Sequence, residues 1–340
     1  KLCMNSDYSI NKSSWETILS NLVKDYLVLA PFPYGEHLEY DKLTAETAGE
    51  IVYNHPKPSS PLKTFFLPVR ENVLSPGNTD KKRIIIGCPA CDLAGLSILD
   101  EIYLNQDYTD PVYARNRENT LLIGTDCHTI NEHCHCTTYG FNPWPEENAD
   151  IILTEIDDNI VLSIISEKGQ NFKEQHLHTL EEIKNTADLK ISELRNDTLK
   201  KLKEKDPDLP DYIETGTLIT HSTENIWKKY SETCVSCGAC SAICPTCSCF
   251  LFIERPEFEK VRSIDTCQYP GFERVAAGED PLRPLEKRFR NRYMCKYVWK
   301  PLKFKSKACT GCGRCIEACI GDINKNDLFR ELKQNLTVEA

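Results

Sequence analysis

The chain has 340 residues, of which 40% are hydrophobic and 27% charged, and this composition excludes a disordered or fibrous protein. At roughly 100–200 residues per domain, the length predicts about two or three domains. The formal net charge of −10 argues against a surface held on nucleic acid by phosphate contacts. No apolar run approaches the roughly 20 residues of a membrane span, and the amino end lacks the apolar segment of a secretion signal. We therefore expect a cytoplasmic protein without a membrane span.

Cysteine is the most informative residue type, because the chain contains 18 of them. All but Cys3 lie in two blocks, 88–136 and 234–319, and many are separated by only two residues. A disulfide scaffold is typical of small secreted domains with scattered cysteines. Close spacing instead brings several thiolates to one point, as metal ions and iron–sulfur clusters require. The pattern favours metal or iron–sulfur chemistry.

The amino-terminal residues have the pattern of mixed α/β structure. Ser13 or Ser14 is expected to cap a helix. The apolar residues of this helix share one face: Trp15, Ile18, Leu19, Leu22 and Val23. An apolar run over 26–29 predicts a strand that ends at the prolines that follow it, Pro31 and Pro33.

Two further apolar runs predict buried strands of the parallel type, each followed by cysteines. The strand over 83–87 precedes Cys88 and Cys91, and the strand over 120–124 precedes Cys127. Functional loops commonly follow the carboxyl ends of strands in open α/β sheets. We therefore expect these cysteine loops to lie at neighbouring strand ends.

The middle of the chain is predicted to combine helices with a hairpin. A helix over 93–103 follows the first cysteine loop. Alternating apolar residues over 151–164 predict a hairpin that turns at 157–159. Residues 172–205 have a charged helical pattern, and a helix near 225–231 leads into the second cysteine block.

Two copies of one cysteine pattern lie in the carboxy-terminal part. Residues 234–245 read C-x2-C-x2-C-x3-C-P, and 309–319 repeat the pattern with Ile320 in place of the proline. In two-cluster ferredoxins the fourth cysteine of each motif binds the other motif's [4Fe–4S] cube. The first cluster is thus predicted on Cys234, Cys237, Cys240 and Cys319. The second is predicted on Cys309, Cys312, Cys315 and Cys244.

A pair of zinc sites is the alternative for these motifs. Zinc sites commonly use two cysteine pairs separated by a linker, rather than four cysteines in one short run. Gly238 and Gly313 are expected to let the chain wrap closely around a cube and to direct backbone amides at its sulfurs. The spacing therefore favours two [4Fe–4S] clusters.

An insert over 245–308 separates the two motifs, and its chemistry remains open. It contains Cys247, Cys249 and Cys267, which are either structural thiols or an extra metal or redox site, and Cys295, whose role is undetermined. The insert is strongly basic between 281 and 307. Such a run is a solvated face, a docking surface for an acidic partner protein or, least favoured, a contact for nucleic acid.

The first block brings a further set of thiols and imidazoles together. Its members are Cys88, Cys91, Cys127, Cys134, Cys136, His128, His133 and His135. Four of the cysteines would hold a third iron–sulfur cluster, and the alternative is a zinc site made from the same atoms.

The order of these motifs resembles one protein family. Cys91-Asp-Leu, Asp126-Cys127, Cys134-His-Cys136 and Cys244-Pro-Thr-Cys247-Ser-Cys249 stand as in the iron–sulfur β subunit of cytoplasmic sulfhydrogenases and the related A subunit of anaerobic sulfite reductase. The resemblance covers about residues 83–319. It implies an electron-transfer subunit with three clusters, the third of them on Cys91, Cys127, Cys134 and Cys136.

Two positions depart from the family pattern. Cys88 is an extra thiol that could substitute in the third ligand set, and the third cofactor could be a [2Fe–2S] cluster or zinc instead of a [4Fe–4S] cluster. Cys295 stands where the family tends to have histidine.

The sequence contains no dinucleotide-binding or nucleoside-triphosphate motif, so two-electron chemistry is expected on other chains. The resemblance implies a flavin- and nicotinamide-binding partner and a terminal catalytic subunit of hydrogenase, sulfite reductase or heterodisulfide-reductase type. We predict a relay of single electrons between them, with no catalytic residue in this chain. The alternatives are a stand-alone iron–sulfur or thiol enzyme, a free large ferredoxin, and an iron–sulfur sensor that binds nucleic acid.

The predicted fold class is α+β, with an amino-terminal α/β cluster-binding domain followed by a two-[4Fe–4S] ferredoxin-like domain. The first domain is expected over 1–165, a helical connector over 166–225, and the dicluster domain over 226–340 with its insert at 245–308.

Overall fold

The computed structural model describes residues 6–55, 57–75, 82–105, 107–178, 180–182 and 186–339. In chain order its strands are β1 Ser6–Asn11, β2 Leu27–Tyr34, β3 His37–Lys42, β4 Arg70–Asn72, β5 Arg83–Pro89, β6 Thr120–Thr125, β7 Ile151–Ile156, β8 Asn159–Ile164, β9 Glu181–Glu182, β10 Phe250–Glu254 and β11 Lys260–Ile264. Its α-helices are α1 Lys12–Leu22, α2 Ala90–Tyr103, α3 Pro111–Glu118, α4 Glu167–His176, α5 Thr186–Lys205, α6 Tyr212–His221, α7 Glu224–Ser231, α8 Ala239–Ala242, α9 Leu285–Met294, α10 Lys300–Phe304, α11 Arg314–Glu317 and α12 Lys325–Glu339. No helix within the described ranges has the length and apolar character needed to cross a membrane.

One eight-stranded sheet organises the first half of the chain, in the order β3-β2-β5-β6-β7-β8-β1-β9. The pairs from β2 through β5 and β6 to β7 are parallel, and the other pairs are antiparallel. β5 and β6 are buried along nearly their whole length, as central parallel strands covered on both faces should be. The predicted hairpin is confirmed, because β7 and β8 pair with Ile156 opposite Asn159.

Apolar side chains from β5 alternate between the two faces of this sheet. Ile84 belongs to the core that contains Trp15 of α1. Ile85 and Cys88 belong to the core on the opposite face, against α2. The register between β5 and β6 shifts between Ile86 and Cys88. This irregularity places Cys88 in the hydrophobic core, where it is fully buried.

A second, three-stranded sheet ties the insert to the amino-terminal part. Its order is β10-β11-β4, so a strand from residues 70–72 pairs with a strand from the insert. Helices α6, α7, α9 and α12 pack around a third core, which is rich in aromatic side chains such as Trp227, Tyr293 and Phe329. The protein is a mixed α+β structure, and the predicted limits of its domains remain predictions.

The first helix and strand differ in detail from the prediction. Asn11, rather than Ser13 or Ser14, caps α1, because its side-chain oxygen accepts a hydrogen bond of 2.8 Å from the Ser14 amide. β2 continues through Pro31 and Pro33 instead of ending there. The parallel pairing of β2 with β5 ends at Leu29, before the first proline. Pro31 and Pro33 lack N–H groups, but no hydrogen bond to β5 is lost because neither proline pairs with that strand.

The helices around the first cysteine block also differ. The predicted helix over 172–205 is two helices, because α4 ends at His176 and the short strand β9 pairs with β1 before α5 begins. Helix α2 begins at Ala90, earlier than expected. Cys91 therefore lies in the first turn of a helix, and Cys88 lies at the end of β5.

Candidate iron–sulfur sites

The first ferredoxin motif lines a cavity, called the first cavity below. The four cysteines predicted for the first cluster all line it: Cys234, Cys237, Cys240 and Cys319. Cys237 is the exposed member of this set. Gly238 turns the chain with φ of +75°, and a Cβ there would lie 2.5 Å from the Thr266 methyl carbon. The expected close wrapping at Gly238 therefore depends on its missing side chain.

The second motif lines a neighbouring second cavity. The four cysteines predicted for the second cluster all line it: Cys244, Cys309, Cys312 and Cys315. Cys244 and Cys309 are buried. A Cβ on Gly313 would lie 2.5 Å from the carbonyl oxygen of His133. This glycine therefore lets the second motif approach the first cysteine block.

The first cysteine block lines a third cavity. Its wall contains the four cysteines that the family resemblance implied: Cys91, Cys127, Cys134 and Cys136. Cys88 is not part of this wall, because the irregular end of β5 turns it into the hydrophobic core. His128, His133 and His135 do not line it either. The structure thus brings these four thiols together with Cys312 of the second motif, without Cys88 and without imidazole.

The three cavities are joined by shared cysteines. Cys312 lines both the second and the third cavity. Cys315 lines both the first and the second. The second cavity therefore lies between the other two, which gives the order third, second, first.

The donor set of each cavity fits an iron–sulfur cluster. Four cysteine thiolates are the usual ligands of a [4Fe–4S] cube. Burial and then the neighbouring Cys134 thiol raise the pKa of Cys136 to about 12, so this thiol keeps its proton unless a metal displaces it. Within the described part of the chain, no three His, Cys, Asp or Glu side chains form a site for a single metal ion.

Buried cations surround the second cavity. Lys296 donates hydrogen bonds to Cys244 Sγ at 3.0 Å, to Thr246 Oγ1 at 2.6 Å and to the Ala308 carbonyl at 2.8 Å. Burial opposes the charge of Lys296, but the electrostatic interactions with Cys244, Cys247 and Cys309 together outweigh it and hold the pKa of Lys296 well above its ordinary value. Arg292 and Lys325 line both the first and the second cavity.

Part of the basic run over 281–307 lies inside the protein. Arg288, Arg292 and Lys296 are buried. Lys300 donates to the Thr246 carbonyl at 2.8 Å, and Lys307 donates to the Tyr139 carbonyl at 2.6 Å. The interpretations as a solvated face, docking surface or nucleic-acid contact are therefore wrong for the three buried residues, Arg288, Arg292 and Lys296. The exposed members of the run are Arg283, Lys287, Lys303, Lys305 and Lys307, and for them these interpretations stay predictions.

The third cavity has its own positive charge. Lys57 Nζ lies 3.6 Å from Cys134 Sγ and 2.9 Å from Glu317 Oε1. Burial opposes its charge, but Cys134 and Glu317 raise the pKa of Lys57. Lys205, in the last turn of α5, donates to the Cys134 carbonyl at 2.7 Å, and Leu202 lines the cavity. Helix α5 therefore closes one side of this site.

A buried ion pair joins the second and third cavities. Arg314, between two cysteines of the second motif, contacts both carboxylate oxygens of Asp92, at 2.5 and 2.8 Å. Its other hydrogen bonds go to the Pro58 carbonyl at 3.0 and 2.9 Å. Asp92 directly follows Cys91, and both charged side chains are at most 1% exposed. The pair holds two cysteine-bearing segments in one geometry.

Backbone contacts and a histidine reinforce the same junction. The His135 amide donates to the Gly311 carbonyl at 2.8 Å. The His135 ring has Nδ1 2.7 Å from the His133 carbonyl and Nε2 2.9 Å from Lys325 Nζ. Burial, and then Lys325, hold the pKa of His135 well below its ordinary value, so the ring is neutral and acts as a structural hydrogen-bonding group.

The insert cysteines divide into separate groups. The Cys247 thiol hydrogen-bonds to Cys244, a predicted cluster ligand. The thiols of Cys249 and Cys267 hydrogen-bond to each other. Cys295 begins the π-helical turn Cys295–Trp299 between α9 and α10.

Sequence reasoning did not find the buried cations Lys57, Arg292, Lys296 and Lys325. The basic run was a visible signal for Arg292 and Lys296, but a charge run at the surface has the same composition. Lys57 lies far from the cysteine motifs in the sequence, so only its three-dimensional contacts reveal it.

Comparison with known proteins identifies the domain that carries the two ferredoxin motifs. Residues 233–323 match the family model of the 4Fe–4S dicluster domain. The chain is 31% identical over 304 residues to sulfhydrogenase 2 subunit beta of Pyrococcus furiosus, and the alignment covers 84% of this chain and 87% of that protein. The expected iron–sulfur and electron-transfer character is confirmed. The chain therefore belongs to the family of sulfhydrogenase β subunits.

Proposed function

We propose that this chain is a three-cluster electron relay in a multisubunit oxidoreductase. It passes single electrons between a flavin- and nicotinamide-binding subunit and a terminal catalytic subunit. The observation that carries the proposal is the sharing of Cys312 and Cys315 between successive cavities, because it makes a continuous row of three cysteine-lined sites. A cube accepts one electron at a time, which suits a row of such sites to splitting electron pairs.

We assign the terminal subunit to the hydrogenase type rather than to the sulfite reductase or heterodisulfide-reductase type. The support is the name of the relative, a sulfhydrogenase subunit that aligns over most of both chains.

The ligand sets follow the three cavity walls. The first cluster is proposed on Cys234, Cys237, Cys240 and Cys319. The second is proposed on Cys309, Cys312, Cys315 and Cys244. The third, proposed as [4Fe–4S], is held by Cys91, Cys127, Cys134 and Cys136. The absence of imidazole from the third wall favours a cluster over a zinc site with histidine ligands.

The buried cations set the electrostatics of the row. Lys296, Arg292 and Lys325 offset the negative charge of the thiolates around the middle cavity, where burial would otherwise disfavour it. Lys57 does the same at Cys134. Positive charge and hydrogen bonds to sulfur both favour the reduced state of a cluster. These residues therefore keep the buried part of the row reducible.

The exposed Cys237 makes the first cavity the exchange point with one partner. Val235 and Ile320, beside the first and last cysteines of this site, are 63% and 71% exposed. They supply an apolar rim of the kind that a partner subunit covers.

Anaerobic purification of the native complex tests this function. We expect about 12 irons on this chain, as three cubes require, with flavin on one partner and nickel on another. The separated chain should keep its iron, and neither hydrogen nor NADH should reduce it. Reduction of the separated chain by either donor would show an enzyme in its own right. Purification without partners would instead show a free ferredoxin.

A further inference from the structure

We infer that Cys249 and Cys267 form a redox-active dithiol that exchanges with low-molecular-weight disulfides. Their thiols hydrogen-bond to each other. Neither residue lines the first, second or third cavity. The site is therefore additional to the three clusters, and it does not depend on the proposed relay.

The hairpin β10–β11 fixes the two cysteines beside each other. Phe250 pairs with Ile264, and just beyond this pair the Asp265 amide donates to the Cys249 carbonyl at 3.0 Å. Cys249 thus enters one strand as the chain leaves the other toward Cys267. This backbone contact and the hydrogen bond between the two thiols place the sulfur atoms beside each other.

The two thiols have different surroundings. Cys267 is buried, and it receives a hydrogen bond from Gln268 Nε2 at 3.6 Å. Gln268 is itself held by a hydrogen bond of 2.9 Å to the Arg288 carbonyl. Cys249 is half-buried and lines a surface pocket with Cys247, Phe250 and Arg262. An incoming disulfide therefore meets Cys249 first.

The hydrogen bonds also divide the protons unequally. Hydrogen bonds from Cys249 and Gln268 lower the pKa of Cys267 to about 6, despite burial. The same pairing raises the pKa of Cys249. The pairing therefore favours the proton on Cys249 and the negative charge on Cys267.

The exchange proceeds in two balanced steps. Cys249 attacks one sulfur of a disulfide RSSR while its proton passes to Cys267, and RS⁻ leaves. The released RS⁻ takes the proton from Cys267, which then attacks Cys249 Sγ and breaks the mixed disulfide. The products are the Cys249–Cys267 disulfide, one RSH and one RS⁻. Two electrons pass from the pair to RSSR.

Glutathione disulfide, added to the anaerobically purified complex, is the probe for this reaction. After denaturing alkylation, peptide mass spectrometry should show a Cys249–Cys267 crosslink that dithiothreitol reverses. Cys295, in the same insert, serves as the internal control and should be alkylated instead. A mixed disulfide on Cys295 to the same extent as the crosslink would overturn the inference, as would no crosslink at all.

Two serine variants separate the roles of the thiols. In Cys267→Ser the mixed disulfide should persist on Cys249, because the thiol that resolves it is missing. In Cys249→Ser the buried Cys267 should remain unmodified. Cys295→Ser should behave like the native chain. Equal modification of Cys267 with and without Cys249 would contradict the assigned order of attack.

Iron content is measured in the same samples. Both serine variants should keep the iron of the native chain, because neither thiol is a cluster ligand. Loss of about four irons in either variant would make that thiol a ligand and overturn the inference. A low iron content in the native chain would count against the relay and leave the dithiol result standing.

Discussion

The first and third cavities are built in different ways. Three of the four thiols predicted for the first cluster come from one short stretch, 234–240, in which two-residue spacers and Gly238 direct them to one point in the first cavity. The third cavity collects its thiols from the start of α2, which carries Cys91, and from the long loop between β6 and β7, which carries Cys127, Cys134 and Cys136. Gly311 and Cys312 of the second motif also line the third cavity. Local cysteine spacing therefore specifies the first cavity, whereas packing between segments distant in sequence specifies the third cavity.

This difference has a consequence for how the sites fail. Damage to the junction between the first cysteine block and the second motif should affect the third cavity most. The first cavity, at the far end of the row, should be affected least. The following changes test the contrast, from the largest expected effect to the smallest.

Loss of a ligand in the third cavity should have the largest effect. Cys91→Ser should lower the iron content by about four irons per chain, because one thiolate of a proposed cube is missing. Cys88→Ala is the matched control, since Cys88 lies in the core and lines no wall. Iron analysis with electron paramagnetic resonance decides the matter. Equal iron loss in both variants would place Cys88 among the ligands.

Removal of the buried ion pair between Arg314 and Asp92 should have the second-largest effect. Arg314→Leu leaves the Asp92 carboxylate buried without its partner, which should cost about 3–5 kcal/mol of unfolding free energy. Denaturant unfolding under anaerobic conditions measures this loss. The exposed pair Lys201–Asp197 is the control, and Lys201→Leu should change stability by under about 1 kcal/mol. Similar losses of unfolding free energy in both variants would show that the buried ion pair does not stabilise the junction.

A side chain added at Gly313, where two segments approach closely, should have an intermediate effect. Gly313→Ala combines a left-handed φ of 77° with a Cβ 2.5 Å from the His133 carbonyl oxygen, and we expect a loss of about 2–4 kcal/mol. Gly278→Ala has a similar φ of 79° but open space around its Cβ, and it should cost about 1 kcal/mol. The difference between the two variants isolates the contact across the junction. Equal costs would mean that only backbone conformation matters.

Removal of a buried cation should shift a potential rather than unfold the chain. Lys296→Met removes the hydrogen bond to Cys244 Sγ. The midpoint potential of the second cluster should fall by roughly 65–130 mV, which is the one-electron equivalent of a charged hydrogen bond of about 1.5–3 kcal/mol. Redox titration followed by electron paramagnetic resonance measures this shift. Lys300→Met, whose amine bonds oxygen atoms instead, should leave the potential unchanged.

The smallest effect is expected far from the junction, at Glu331. Its carboxylate accepts hydrogen bonds of 2.8 Å from Lys229 and 2.9 Å from the Tyr230 hydroxyl. The Lys229 bond, partly opposed by burial, lowers the pKa of Glu331 below its ordinary value. Its contribution is therefore present above the ordinary carboxyl pKa and is lost as the pH falls through the folded-state pKa. Glu331→Gln should cost under about 1 kcal/mol near neutral pH and nothing once the carboxyl is protonated, by denaturant unfolding at both pH values. A loss that persists in acid would contradict this electrostatic origin.

A cluster site can be predicted from sequence to the extent that its cysteines lie close together along the chain. The spacing in 234–245 and 309–319 predicted which thiols would line the first two cavities. In each predicted ligand set, three of the four cysteines lie within seven residues of one another in the sequence. The first block carried enough pattern to choose four cysteines only by family resemblance. Spacing alone could not separate Cys88 from Cys91, since the choice depends on a register irregularity between two strands.

By itself, the sequence determined the iron–sulfur chemistry, the buried parallel strands and the cysteine sets of the two ferredoxin motifs. These follow from spacing and apolar runs over a few residues, where chain geometry leaves few alternatives. Only the tertiary structure decided that Arg288, Arg292 and Lys296 of the basic run are buried, that Cys249 meets Cys267, and that Arg314 pairs with Asp92. Each of these depends on contacts between segments far apart in sequence, in which burial and charge compensation select the partner.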